Sequence, residues 1–131
     1  MKIKLPLFVR TAKSIKGKKY RINLNYYRNW HFQQSNTIKK KFCENLEPEL
    51  KGLKLKTPIK INFVLYKGSK RKIDRANILS IMEKFFCDAL VNYECIGDDS
   101  DSFIEETNYR TGGIDRYDPR CEIEIIENYK I

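Results

Sequence analysis

The chain has 131 residues, which is the size of one domain. Charged residues make up 33%, the mean hydropathy is −0.59, and no run of 18 or more apolar residues occurs, so the sequence excludes a membrane-spanning protein. The apolar stretch from Leu5 to Val9 is too short for a signal peptide, and we therefore expect a cytoplasmic protein. We expect buried thiols rather than a zinc site or disulfides, because no C-x-x-C spacing joins the four cysteines, Cys43, Cys87, Cys95 and Cys121.

The net charge of +9 is distributed unevenly along the chain. Residues 1–72 carry 20 of the 26 Lys and Arg and only three acids, whereas residues 73–131 carry six basic and 14 acidic residues. A dense basic surface favours polyanions, and carboxylates beside a nucleic acid cost energy unless they bind cations. The combination indicates a metal-dependent nuclease, with a general lysine-rich surface as the alternative.

In the first half of the chain, alternation of polar and apolar residues predicts strands at residues 2–9 and 20–27. A basic turn at Ser14–Lys19 would join them. A helix is predicted at Thr37–Leu50, with Asn36 as its N-cap, because apolar residues recur every four positions at Ile38, Phe42, Leu46 and Leu50.

The second half carries stronger patterns. Ile59–Tyr66 is a strand with alternate apolar residues, and Arg75–Tyr93 has the length and periodicity of a helix. A basic loop is predicted at Lys67–Lys72 and a turn at Thr111–Pro119. Two further strands are predicted at Ser102–Tyr109 and Cys121–Glu127. Together these elements predict a single α+β domain over residues 1–131, with a mixed sheet of about four or five strands and two main helices.

The helix at Arg75–Tyr93 has a polar stripe beside its apolar face. At about 100° per residue the stripe contains Asn77, Ser80, Lys84 and Asp88. An ordinary amphipathic helix with a Lys84–Asp88 ion pair would also explain it. Further carboxylates flank the helix: Asp74 before it, and Asp98, Asp99 and Asp101 after it.

Such carboxylates suit the hydrolysis of a phosphodiester. Magnesium takes oxygen ligands, usually one or two protein carboxylates with water and phosphate, and it lowers the pKa of an attacking water. The loop after the helix, GDDSD, would have to fold back to bring the two ends together. A solvated turn is the alternative, and the ligand spacing of a calcium EF-hand is absent.

Other chemistries find no support in the sequence. The motifs of P-loop, α/β-hydrolase and dinucleotide-binding proteins are absent, so we expect no nucleotide cofactor. His31 is the only histidine, which excludes a histidine-pair nuclease. The aromatic residues Tyr26, Tyr27 and Trp30 suit either stacking on unpaired bases or core packing.

One segment, KRKIDRANILSIMEKFFCDALVNYECIGDDSD, resembles the RusA family of Holliday junction resolvases, which occurs widely in phages and prophages. The matching elements are a basic run, an Asp-x-Asp-Asn motif, a helical lysine, an Asp-Ala-Leu sequence and an Asp-Asp pair, here at Lys70–Lys72, Asp74–Asn77, Lys84, Asp88–Leu90 and Asp98–Asp99. Two features depart from the family. Ala76 replaces the second Asp, and the segment between Asn77 and Lys84 is about one helical turn longer.

The resemblance implies a homodimeric, Mg²⁺-dependent endonuclease, with Mn²⁺ as an alternative ion, that nicks four-way DNA junctions symmetrically in recombination and repair. It would act in the cytoplasm of a bacterial cell and be phage- or prophage-encoded. Asp74, Asp99 and Asp98 would hold the metal, Lys84 would steady the attacking water or the phosphate charge, and Asn77 would orient a ligand. DNA phosphates would bind the basic side chains Lys70, Arg71, Lys72, Arg75 and Arg28. A non-catalytic DNA-binding protein on the same scaffold, or a nuclease with another branched-DNA or RNA substrate, are the alternatives.

Overall fold

The computed structural model describes residues 1–10 and 18–128. It confirms the predicted α+β class, with a four-stranded mixed sheet, a small two-stranded sheet, two long helices and two short ones. In chain order the elements are β1 (Lys2–Pro6), β2 (Phe8–Arg10), β3 (Lys19–Arg21), α1 (Leu24–Asn29), α2 (Phe32–Asn45), α3 (Glu47–Leu50), β4 (Ile59–Lys67), α4 (Arg75–Asn92), β5 (Ile104–Ile114) and β6 (Arg120–Glu127).

The main sheet has the strand order β1-β6-β4-β5. β6 pairs antiparallel with both β1 and β4, while β5 pairs parallel with β4. The predicted inner face of β4 is confirmed, since the side chains of Ile59, Ile61, Phe63 and Leu65 are fully buried. This apolar face forms one wall of the core.

Helix α4 covers that face and connects the two parallel strands. The apolar face of α4 is buried, and the rings of Phe63 and Phe86 meet edge to face with centroids 6.2 Å apart. A helix that links two parallel neighbours begins near the end of the first strand and ends near the start of the second. The loop before α4 therefore lies at the C-terminal ends of these parallel strands, and the loop after α4 lies at their N-terminal ends.

The predictions for the N-terminal strands were partly wrong. The strand at residues 2–9 is divided into β1 and β2, which belong to different sheets. The strand at 20–27 ends at Arg21, because the extended Asn23 caps α1 by accepting a hydrogen bond from the Tyr26 N–H at 2.9 Å. Most of the predicted turn at Ser14–Lys19 lies outside the described residues.

The helix predicted at Thr37–Leu50 begins earlier and is divided. It starts at Phe32 with His31 as its N-cap, so the proposed cap Asn36 lies inside it. Pro48 has no N–H for a continuous helix, and the chain forms the separate helix α3 after Leu46. The predicted apolar face is nevertheless buried over all four of its members, Ile38, Phe42, Leu46 and Leu50.

Strand β5 is longer than predicted and includes the first residues of the expected turn at Thr111–Pro119. Gly112 permits this, since a Cβ there would lie 2.6 Å from the Tyr66 ring and 2.8 Å from Val64. Because glycine has no Cβ, β5 can continue beside the Tyr66 ring without a steric clash. The closing strand at Cys121–Glu127 is confirmed as β6.

The expectation of buried thiols is also confirmed, since all four cysteines are buried and free. Among residues 1–10 and 18–128, no helix has the length and apolar character required to cross a membrane.

Candidate acidic groove and basic loop

A groove of about 490 Å³ lies between the C-terminal half of α4, the loop that follows it and the start of β5. We call it the acidic groove because its lining includes the carboxylates of Glu83, Asp88, Asp99, Asp101, Glu105 and Glu106. Lys84 contributes a basic side chain to the lining, beside Cys87, Ile104 and Thr107. The structure therefore brings together Asp99 and Lys84, as the resemblance implies.

Some of these carboxylates are engaged by neighbouring side chains. Asp88 forms an ion pair with Lys39 of α2 rather than with Lys84. The Glu83 carboxylate accepts a hydrogen bond from the Tyr109 hydroxyl at 2.8 Å, and Glu106 lies 3.6 Å from the Lys60 ammonium. These contacts attach the walls of the groove to the rest of the fold.

Asp99, Asp101 and Lys84 differ from those residues. In the described part of the chain their side chains form no hydrogen bond and no ion pair, and all three are exposed. Exposed charged groups without protein partners remain available to a cation and to a phosphate.

Two protonated groups line or adjoin the groove. Burial, followed by the charges of Glu83, Asp99 and Asp88, raises the pKa of the Cys87 thiol to about 12. Burial and the hydrogen bond to Glu83 raise the pKa of the Tyr109 hydroxyl as well. Both groups are protonated at neutral pH, so the chemistry of the groove rests on its carboxylates and on Lys84.

Asp74 lies at the other end of α4. It is exposed and serves as the N-cap, with its carboxylate accepting a hydrogen bond from the Ala76 N–H at 3.0 Å. Asn77 follows in the first turn and is half-buried. Before the helix, the predicted basic loop at Lys67–Lys72 borders a cleft of about 250 Å³ that Arg21, Lys67 and Arg71 help to line.

The length of α4 separates the two sets of predicted metal ligands. Cys87, in the acidic groove, follows Asp74 by 13 positions, which corresponds to about 20 Å along a helix. The GDDSD loop reaches back only to the last turns of α4. Within one chain the structure does not bring Asp74 and Asp99 together, nor Asn77 and Lys84.

Asp98 lies beside Asp99 but is not part of the groove lining. Its carboxylate is exposed and accepts a hydrogen bond from the Asp99 N–H at 2.8 Å. This hydrogen bond shapes the loop that presents Asp99.

The donor set of the groove suits a hard cation. Its unengaged ligands are carboxylate oxygens, which Mg²⁺ and Mn²⁺ prefer. Within residues 1–10 and 18–128 no three His, Cys, Asp or Glu side chains are grouped for one ion. Mg²⁺ commonly keeps several waters and takes only one or two protein carboxylates, so the donor set is compatible with a hydrated ion but not with a site built from three protein ligands.

The predicted DNA-binding side chains are exposed. Lys70, Arg71 and Lys72 lie in the basic loop, Arg75 begins α4, and Arg28 lies on α1. Lys70, Arg71, Lys72 and Arg75 lie at the end of α4 that carries Asp74. Arg28 lies on α1, which packs against α4 further along, where the Tyr27 ring meets Phe85. A basic surface and the acidic groove thus occupy different ends of one helix.

Sequence reasoning missed three carboxylates of the groove: Glu83, Glu105 and Glu106. Glu105 and Glu106 come at the start of a strand directly after the acidic loop, which was a usable signal. Glu83 precedes Lys84 and lies outside the polar stripe of the helix.

Comparison of the sequence with protein-family models finds no match, and comparison with curated proteins finds none either.

Proposed function

We propose that this chain is a metal-dependent endodeoxyribonuclease that acts on four-way DNA junctions as a homodimer. The observation that carries the proposal is the acidic groove, where Asp99 and Lys84 lie together without partners in the described part of the chain. The exposed basic loop supports it, since DNA phosphates require such a surface. The motif resemblance supplies the class of substrate.

Each residue has a role that its surroundings support. Asp99 would hold Mg²⁺, which supplies charge neutralisation and an activated water for phosphodiester hydrolysis. The Lys84 ammonium would hold the phosphate, because it lies in the same groove and has no ion-pair partner in the described residues. Asp98 would keep Asp99 in place through the hydrogen bond within the loop.

The separation of Asp74 and Asp99 along α4 supports the proposed homodimer. If both carboxylates serve one ion, as the family motif implies, Asp74 of the partner subunit must complete the groove. Asn77 of the partner subunit would enter with it, because it lies in the same first turn of α4. Two such composite sites related by a two-fold axis would match a junction with two equivalent strands to cut.

The basic loop would position the DNA relative to these sites. Lys70, Arg71 and Lys72 are exposed and adjacent to Asp74 in the chain. Contacts from these side chains to phosphates would fix the orientation of a junction arm without reading its sequence.

A second candidate function is binding to DNA without cleavage. Ala76 in place of a carboxylate favours it, as does the separation of Asp74 from the acidic groove. In that case the basic loop would act alone, and the groove would be a solvated acidic surface.

One experiment distinguishes the candidates. The purified protein is incubated with labelled four-way junction, duplex or single strand, in Mg²⁺ or in EDTA. Paired symmetric nicks in the junction, only with Mg²⁺, are the expected result. Binding without cleavage would favour the second candidate, and equal cleavage of all three DNAs would contradict junction specificity.

A further inference from the structure

A second cavity, of about 340 Å³, lies between β3 and the first two helices. We call it the aromatic pocket because three aromatic and three basic residues line it: Tyr20, Tyr26, Trp30, Lys18, Lys19 and Arg21. None of these residues belongs to the acidic groove. The pocket is therefore a feature that the proposed catalytic site does not use.

The inner wall of the pocket is held in place by packing. Trp30 meets Tyr20 edge to face with centroids 6.0 Å apart, and it meets Tyr27 in a similar way at 6.1 Å. Tyr27 in turn packs against the buried ring of Phe85. The Gln34 side chain donates a hydrogen bond to the Tyr20 hydroxyl at 3.0 Å. These contacts fix the ring positions before any ligand binds.

Tyr26 has a different character. Its side chain is 50% exposed, although it is a large aromatic group at the rim of the cavity. Partly exposed rings beside a preformed aromatic wall are suited to stacking on a nucleobase, since every base has a planar face. Tyr27, by contrast, packs against the core, which is the second of the two roles that the sequence allowed for these aromatic residues.

The charge around the pocket has one sign. Lys19 and Arg21 flank Tyr20 in β3, Lys18 precedes them, and no carboxylate is among the residues that line the cavity in the described part of the chain. Arg21 also lines the cleft below the basic loop, together with Lys67 and Arg71. A positive surface therefore runs from the basic loop to the aromatic pocket.

We propose that the aromatic pocket binds an unpaired base of a DNA strand, with the flanking phosphates on Lys18 and Arg21. Aromatic rings provide stacking that tolerates any base, and the basic side chains neutralise the backbone on either side. The proposal goes beyond the cleavage function, because this binding needs neither a metal ion nor the acidic groove. It would hold a strand end or an unpaired nucleotide of a branched DNA at the end of the molecule that carries the basic loop.

Trp30 is the only tryptophan of the chain, so its fluorescence reports directly on the pocket. The protein is titrated in EDTA with a thymidine decamer and with a decamer of the same phosphate backbone that has no bases. The thymidine decamer should quench the fluorescence and bind about tenfold more tightly or better, because stacking contributes only when bases are present.

Two variants and a matched control locate the effect. Tyr26→Ala and Gln34→Ala should bring the affinity for the thymidine decamer close to that for the abasic one. Phe32→Ala should leave the affinity unchanged, since Phe32 is 67% exposed but does not line the pocket. Far-ultraviolet circular dichroism confirms that each variant is folded.

Equal affinity for the two decamers would overturn the proposal, because phosphate contacts alone would then explain binding. Unchanged thymidine binding by folded Tyr26→Ala would overturn it too. Junction cleavage in Mg²⁺ is measured in parallel. Base-dependent quenching without cleavage would contradict the nuclease function alone, and cleavage without base-dependent quenching would contradict the aromatic pocket alone.

Discussion

Asp99 is the residue on which the catalytic proposal depends most. It lines the acidic groove, it is exposed, and its carboxylate has no hydrogen bond or ion pair within the described residues. Its neighbours Asp88 and Glu106 are paired with lysines, so their charges are partly neutralised within the chain. An isosteric change at Asp99 should therefore affect ligand binding more than stability.

We expect Asp99→Asn to lower junction cleavage by at least ~100-fold, because the change removes the charge that holds the metal. Binding of the junction should persist or become tighter, since a carboxylate near phosphates repels them. Asp118→Asn is the matched control, because Asp118 is an exposed aspartate in the turn between β5 and β6, outside the groove. Gel assays of cleavage and of binding in EDTA measure both effects, and normal cleavage by folded Asp99→Asn would refute the catalytic role.

The buried thiols predict how stability depends on pH. The pKa of Cys87 is raised by burial from its ordinary value of 9.0 to about 12, and burial raises the pKa of Cys121 to about 12 as well. The unfolded chain releases these protons first, so the free energy of unfolding is unaffected by them below pH 9 and decreases as the pH rises from 9 towards 12. The Tm followed by circular dichroism should fall across this range. The fall should be shallower in Cys87→Ala, and identical slopes in the two proteins would contradict the assignment.

At the scale of single elements, α4 joins the two parts of the proposed site. Its N-terminus carries Asp74, and its C-terminal half forms one wall of the acidic groove. Asp74 therefore has a structural role as N-cap that must be separated from any role in metal binding.

Two substitutions separate these roles. Asn is as good an N-cap as Asp, so Asp74→Asn should leave the free energy of unfolding almost unchanged while it abolishes most cleavage. Asp74→Ala should lose cleavage and also about 1 kcal/mol of stability, because the Ala76 N–H loses its acceptor. Urea unfolding and junction cleavage are the measurements. Full activity of Asp74→Asn would show that Asp74 is only a cap.

The elements that the sequence predicted best are those with one strong period. β4 and β6 alternate and α4 repeats every three to four residues, and each is found within one or two residues of its predicted bounds. α1 was missed because the alternation through Ile22 and Leu24 continues into a segment that Asn23 caps as a helix. β5 was shortened because Gly112 and Gly113 usually mark a turn, whereas here Gly112 makes room for Tyr66.

Only two of the five predicted catalytic residues line the groove, since Asp74, Asn77 and Asp98 lie outside it. Asp99 and Lys84 share a groove, as the motif implies. Asp74 and Asp99 lie at opposite ends of the strands because β4 and β5 are parallel neighbours joined by α4. This pairing joins segments far apart in the sequence, and no local pattern encodes it.

At the scale of the whole molecule, the uneven charge of the chain becomes two surfaces. The basic loop and Arg21 form a positive end, and the acidic groove forms a negative one. DNA binding should therefore be dominated by the positive end and depend strongly on salt.

We expect the triple variant Lys70→Ala, Arg71→Ala, Lys72→Ala to weaken binding to junction and duplex alike, because phosphate contacts carry no sequence information. The slope of log K against log salt should decrease in magnitude by up to about 3, since each of the three side chains would neutralise one phosphate. Fluorescence anisotropy between about 50 and 200 mM salt measures both quantities. An unchanged slope, or a loss of junction binding alone, would contradict this role of the basic loop.

The composite site is the central prediction about the whole molecule, and two variants that we expect to be inactive test it together. Asp74→Asn and Asp99→Asn carry different affinity tags and are co-expressed, and the heterodimer is purified through both tags. If each site combines Asp99 of one subunit with Asp74 of the partner subunit, one of the two sites in this heterodimer is fully intact. The heterodimer should then nick four-way junctions in Mg²⁺ at about half the wild-type rate, whereas each variant alone stays inactive. A heterodimer as inactive as its parents, beside an active wild-type protein, would contradict the account.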